Sequence, residues 1–194
     1  PDSVAKLLAD QSYVTVPSFQ RNYSWEKANV EQFVEDIFDC ADNDSTHFWG
    51  PVVFLKVPKE KYHFQLIDGQ QRVTTSIMML ALLRDVAYEL EDKFLPPKLP
   101  SSPDLFVTFS STLFIAPQMV KSKFTASYLV DKFFQSHIYA PPISPMGTKR
   151  PEVGIRGKGL SSADKRATSE LRAAYLMLHK KLTERLNKHT NEDS

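Results

Sequence analysis

The sequence predicts an α+β fold in which a β-hairpin and a short strand are set among helices, with a long helix at the C-terminal end. Three observations carry this expectation. Two β-rich runs, "GPVVFLKV" (50–57) and "YHFQLID" (62–68), are joined by the polar "PKEK" and read as a hairpin. Apolar positions at helical spacing fill the segments on either side of it, 28–41 and 72–93. The last segment, from Ser162 to about His189, repeats the helical period through Leu171, Tyr175, Leu178, Leu182 and Leu186.

Taken in order, "VAKLLADQSYVTVPSFQRNYSW" (4–25) predicts a short helix, a strand over Tyr13–Val16 and a Pro-led loop. From Ala28 to Ala41, Val30, Phe33, Val34, Ile37, Phe38 and Ala41 form one apolar face. Glu31, Glu35, Asp36 and Asp39 turn mostly to water, and Ser24 stands where a cap belongs. After the hairpin, the helix from Arg72 to about Lys93 offers Ile77, Leu80, Ala81, Ala87 and Tyr88 to the sheet, with Arg84 at the edge of that face. "LPPKLPSSP" (95–103) is a break. "DLFVTFS" (104–110) reads as a further strand and Thr125–Ile138 as a further helix. Residues 141–160 hold four of the six glycines and four of the thirteen prolines, and read as a long loop. The final helix is capped near Ser161 or Ser162. This divides the chain into a core (1–95), a middle segment containing the Pro/Gly-rich loop (96–160), and a C-terminal helix packing on the core (161–194).

Composition excludes several classes. The 194 residues are 42% hydrophobic and 24% charged, ordinary for a globular protein. Lys+Arg 24 against Asp+Glu 23 leaves a net charge of +1, so any nucleic-acid surface is a local patch. The lone cysteine, Cys40, forms no internal disulfide, and its apolar-periodic segment predicts a core thiol. No apolar run approaches the ~20 residues of a membrane span, and no signal-peptide pattern opens the chain. A cytoplasmic protein is expected. Because the sequence begins without Met and runs directly into patterned structure, it is expected to be a fragment of a longer chain.

The most informative stretch is "LIDGQQRVTT" (66–75), where a strand stops at an acid and a glycine and a helix begins. A helix start presents free N–H groups and partial positive charge, which suits a phosphate. Gly69 allows a sharp turn and a close approach, and Arg72 can add a bidentate contact. Asp68 can hold a divalent cation or orient a water, and Gln70 and Gln71 supply uncharged donors and acceptors. Thr74 and Thr75 complete the candidate nucleotide-binding set. A plainer reading fits the same residues: Asp68 caps the helix and Arg72 pairs with it. No G-x-x-x-x-G-K-[ST] is present, which excludes the common P-loop route.

A second cluster, "VPSFQRNYSW" (16–25), gathers Gln20, Arg21, Tyr23 and Trp25, the arginine–aromatic mix used for phosphates and stacked bases. Alone, it reads more readily as aromatics packing on the next helix beside a solvated Arg21. Together with "FWGPVVF" (48–54) and "LIDGQQRVTT", in that order, it resembles the N-terminal domain of GmrSD-type, modification-dependent (type IV) restriction systems. The late "LRAAYLMLHKKL" (171–182) is similar to that family's Ala-Tyr helix, whereas 95–160 matches nothing specific.

The resemblance implies a ParB/sulfiredoxin-like fold, a small mixed sheet flanked by helices, with a Gly-x-x-Arg element holding nucleotide phosphates. Gly69, Gln70, Gln71 and Arg72 occupy that element. It also implies an NTP ligand (GTP, ATP or CTP) with Mg²⁺, and catalytic roles for Asp68 and Arg72. DNA, modified DNA included, is the implied partner, with a nuclease of HNH type as a further domain or separate chain. The five histidines are scattered and form no such nuclease here. The alternative is a ParB-like DNA-binding regulator without NTP turnover, touching DNA through Lys149, Arg150, Arg156 and Lys158. Sulfiredoxin-type reduction is excluded, because Gln70 and Gln71 stand where its cysteine would be. Glu31, Asp36 or Asp68 as ligands of a nuclease metal is a weaker option, since their spacing does not demand it.

Overall fold

The computed structural model describes residues 13–93, 105–115, 121–127, 130, 133–139 and 162–192. Strand β1 (Tyr13–Thr15) is followed by helix α1 (Lys27–Asp42), the hairpin β2 (Val53–Lys56) and β3 (His63–Asp68), and helix α2 (Gln70–Lys93). Helix α3 (Leu105–Leu113), the short strands β4 (Phe114–Ile115), β5 (Lys121–Ser122) and β6 (Phe124–Thr125), a π-helical turn (Phe134–Ile138) and helix α4 (Ser162–Glu192) complete it. The protein is α+β around a small mixed sheet of order β2-β3-β1-β6. β2 runs antiparallel to β3, while β1 lies parallel to both β3 and β6. β4 and β5 pair separately.

One face of the sheet carries Val14, Leu66 and Phe124, all at most 1% exposed, and this face meets the helices. α2 is the central element: Val73, Ile77, Met78, Ala81 and Leu82 are buried along it, because α3 and α4 pack against it as well. A helix covered on several sides has no need of a narrow apolar stripe. α4 buries Leu171, Ala174, Tyr175, Leu178 and Leu182, and crosses both α1 and α2. Its outer end is tied to α1 by Arg185, which bonds Asp42 and lies 4.4 Å over the Phe38 ring.

Several expectations are corrected. "DLFVTFS" is helical, not a strand, from Leu105 onward. Its β-rich composition yields to packing on α2, and the hydroxyls of Ser111 and Thr112 fold back onto the Thr108 carbonyl in helical fashion. Thr125–Ile138 is not one helix: Thr125 joins the sheet beside β1 with Phe124, and of the described residues in this span 133–138 are helical. The residue capping α1 is Glu26, whose N–H donates to Asn29 Oδ1 at 3.1 Å, and not Ser24. Arg84 lies inside the protein instead of at an edge, while Tyr88 is exposed. Cys40 is half-buried and free. The expected helix before Tyr13 and the loop basic residues Lys149, Arg150, Arg156 and Lys158 lie outside the described residues.

Candidate functional site

β3 ends at Asp68 and α2 begins at Gln70, so a single residue makes the turn. Gly69 does so at φ +86°, and a Cβ there would meet Val52 Cγ2 at 3.0 Å. The positive φ favours glycine, and the close approach leaves little room for a side chain. The loop after β1 lies against this junction, and the two enclose a cleft of about 230 Å³. Gln20, Arg21 and Trp25 line it from the loop, and Ile67 to Arg72 from the junction. The two stretches singled out in the sequence thus meet in one site.

Arg72 is held in a way the sequence does not reveal. Nη1 donates to the Trp49 carbonyl and Nη2 to the Pro51 carbonyl, both at 2.9 Å. Between them sits Gly50 at φ +88°, where an added Cβ would stand 1.8 Å from Nη1. The glycine of "FWGP" is therefore the seat of the guanidinium. Trp49 and Gly50 are site residues that only the tertiary structure exposes, although the pattern Phe-x-Gly marks their place. Two of the five N–H groups of the guanidinium are engaged and three remain. Arg72 does not pair with Asp68; the Asp68 carboxylate accepts the Gly69 N–H at 2.8 Å through Oδ1.

The two glutamines differ. Gln71 is a clamp: its Oε1 accepts the Ser24 N–H at 2.9 Å and its Nε2 donates to the Asn22 carbonyl at 3.1 Å. It joins α2 to the 20–25 loop and is 5% exposed. Gln70 is 8% exposed, yet its Oε1 has no hydrogen-bond partner. Such an orphan is costly unless something binds it. Gln20 secures the other wall, donating to the Ile67 carbonyl at 2.9 Å.

Tyr23, Thr74 and Thr75 do not line the cleft; they lie beneath it in the core, at 2%, 3% and 0% exposure. The Tyr23 hydroxyl meets Thr75 Oγ1 at 2.9 Å, and Thr75 donates to the Gln71 carbonyl at 2.8 Å. Burial pushes the Tyr23 phenol well above its usual range, so it stays neutral as a donor. These three residues support the site from below. Trp25 is half-buried, with its ring 5.8 Å from that of Phe33, and Arg21 is exposed at the rim.

The backbone N–H groups of Gln70, Gln71 and Arg72 have no partner among the described residues, as expected of a first helical turn. With two guanidinium groups and one carboxylate beside them, the arrangement defines a cleft suited to an anionic ligand. Among the described residues no group of three His, Cys, Asp or Glu could hold a metal unaided. The chain belongs to the family of GmrSD restriction endonuclease N-terminal domains, which matches residues 4–191, nearly its whole length. It is thus a restriction-system domain, of a kind that serves phage defence. No curated protein matches it. No described helix is long and apolar enough to cross a membrane.

Proposed function

We propose that the cleft binds a nucleoside triphosphate and that the chain is the DNA-sensing part of a modification-dependent restriction system. The observation that carries this reading is the start of α2: three unpartnered N–H groups, in a cleft with Arg21, Arg72 and the buried orphan Oε1 of Gln70. Phosphate oxygens would take the N–H groups and the remaining donors of Arg72, with Arg21 closing from the other wall. Gln70 and Gln20, which line the cleft, would meet the ribose or base edge. Asp68 keeps one carboxylate oxygen beyond its bond to Gly69, enough to orient a water or one ligand of an arriving Mg²⁺. Mg²⁺ bound with the nucleotide would neutralise charge on the phosphate oxygens. A nuclease of HNH type, as a further domain or separate chain, would cut the DNA. The mixed sheet and the glycine-led helix start also support a ParB/sulfiredoxin-like assignment.

A thermal-shift screen with GTP, ATP and CTP, each with and without Mg²⁺, tests the ligand class. A nucleotide at 100 times its Kd stabilises the fold by about 2.7 kcal/mol. If no nucleotide shifts the transition, the reading fails.

The second reading, a ParB-like DNA-binding regulator without turnover, is favoured by one observation. Arg72 is already seated on two carbonyls, which suits a static clamp better than a group that follows a moving phosphate. Nucleotide that binds but stays intact on long incubation with duplex DNA selects it; hydrolysis that Asp68→Asn abolishes selects the first.

A further inference from the structure

At the opposite end of β3 from the cleft, the β2–β3 hairpin carries Lys56, Lys59 and Lys61, all exposed. Between residues 45 and 67 the only acid is Glu60, in a chain whose overall charge is +1. That acid is drawn back onto the sheet. Its Oε2 accepts from the Tyr13 hydroxyl at 2.6 Å and lies 3.0 Å from His63 Nδ1, and the Tyr13 and His63 rings stack at 4.2 Å. His63 Nε2 in turn meets Thr15 Oγ1 at 2.8 Å, so the hairpin base is fixed to β1. None of the three lysines has a carboxylate partner among the described residues. Lys61 lies 5.0 Å over the ring of Tyr62, itself 42% exposed.

Lys59 adds an independent sign. It holds φ +67°, where glycine or asparagine is at ease and a long side chain is strained.

We propose that this hairpin tip is a docking point for the phosphate backbone of duplex DNA, distinct from the cleft; the proposal rests on the DNA-sensing reading above. The chemistry fits a polyanion: the turn bears three ammonium groups with no carboxylate partner among the described residues and an exposed aromatic ring, while its one acid, Glu60, is half-exposed and engaged by Tyr13 and His63. The sequence places the basic surface at 149–158; the hairpin is a second one, built on the sheet. Five strand steps, roughly 17 Å, separate His63 from Asp68, so the hairpin and the cleft lie at opposite ends of β3.

The test is fluorescence anisotropy of a labelled duplex with the 194-residue chain across a salt series, alongside nucleotide-induced thermal shift. In the triple variant K56Q/K59Q/K61Q the slope of log K against log salt should fall by roughly 0.9 for each phosphate no longer neutralised, about 2 to 3 in all. Lys59→Gly, which relieves the backbone, should raise the melting temperature and still lower the slope by about 1. The nucleotide-induced shift should persist in both. Duplex binding by the wild type with the same slope in both variants overturns the hairpin proposal and leaves the DNA-sensing reading standing. No duplex binding by the wild type at any salt overturns the two together, while the nucleotide shift still reports on the cleft.

Discussion

Two arginines on α2 meet opposite fates. Arg84 is 2% exposed, and its Nε and Nη2 bond Asp85 Oδ1 at 2.9 and 2.6 Å, while Nη1 donates to the Ile138 carbonyl at 3.1 Å. Its partners are of the protein's own making, and it fastens α2 to the π-helical turn. Arg72 stands at the mouth of a cleft, fixed by two carbonyls but with donors to spare, beside helix N–H groups and a glutamine oxygen that have no partner. A buried charge with matched partners holds a fold together. A held charge beside unmatched partners is prepared for something that arrives.

Mutation should separate the two roles. The largest loss of stability is expected from Arg84→Ala, about 3–5 kcal/mol by urea denaturation, because the buried Asp85 carboxylate loses the guanidinium that balances its charge. The double variant R84M/D85L should recover most of it, since an apolar pair of similar volume removes both buried charges together. Next comes Gly50→Ala, where the added carbon collides with Arg72 Nη1 and the backbone is at positive φ. A cost of about 2 kcal/mol is expected, together with weakened nucleotide binding, because the guanidinium must leave its seat. If Gly50→Ala melts lower but binds nucleotide normally, Arg72 does not act from that seat.

Tyr23→Phe should cost about 1 kcal/mol by removing the bond to Thr75. It should also change the response to alkali. The folded-state phenol of Tyr23 is raised by burial, and that of Tyr13 is raised chiefly by its hydrogen bond to Glu60. A raised folded value gives stability that is complete below the unfolded value, about 10 for tyrosine, and is lost as pH climbs through the folded one. Wild-type stability should therefore fall above about pH 10, more steeply than in the Tyr23→Phe variant. Equal slopes in an alkaline denaturation series would contradict this. Arg72→Lys should change stability least, by about 1 kcal/mol at most, since an ammonium can still reach one carbonyl.

Much of the fold is legible in the sequence, for identifiable reasons. β1, the hairpin, α1, α2 and α4 follow from apolar period, β-rich composition and turn residues, although β2 is mostly exposed and α2 is buried on several sides. α3 does not, since "DLFVTFS" has a strand's composition and its helical state comes from α2 beneath it. The cleft is half legible: Asp68, Gly69 and Arg72 mark a helix start, and Gln20 and Arg21 a polar loop. The roles of Gln71 as a clamp and Gly50 as a seat are hidden, since each depends on a residue 21 or more positions away. Arg84 is misplaced to an edge for the same reason: its outlet is the Ile138 carbonyl, and periodicity carries no trace of it.

The measurement that bears most directly on the cleft is calorimetric titration of GTP, ATP and CTP with Mg²⁺ into the wild type and Arg72→Lys. One nucleotide should bind per chain, and binding should be at least about tenfold weaker in the variant, because a point charge replaces a two-pronged donor. No heat with any nucleotide, or equal affinity in the two proteins, would contradict a phosphate-binding role for Arg72 in this cleft.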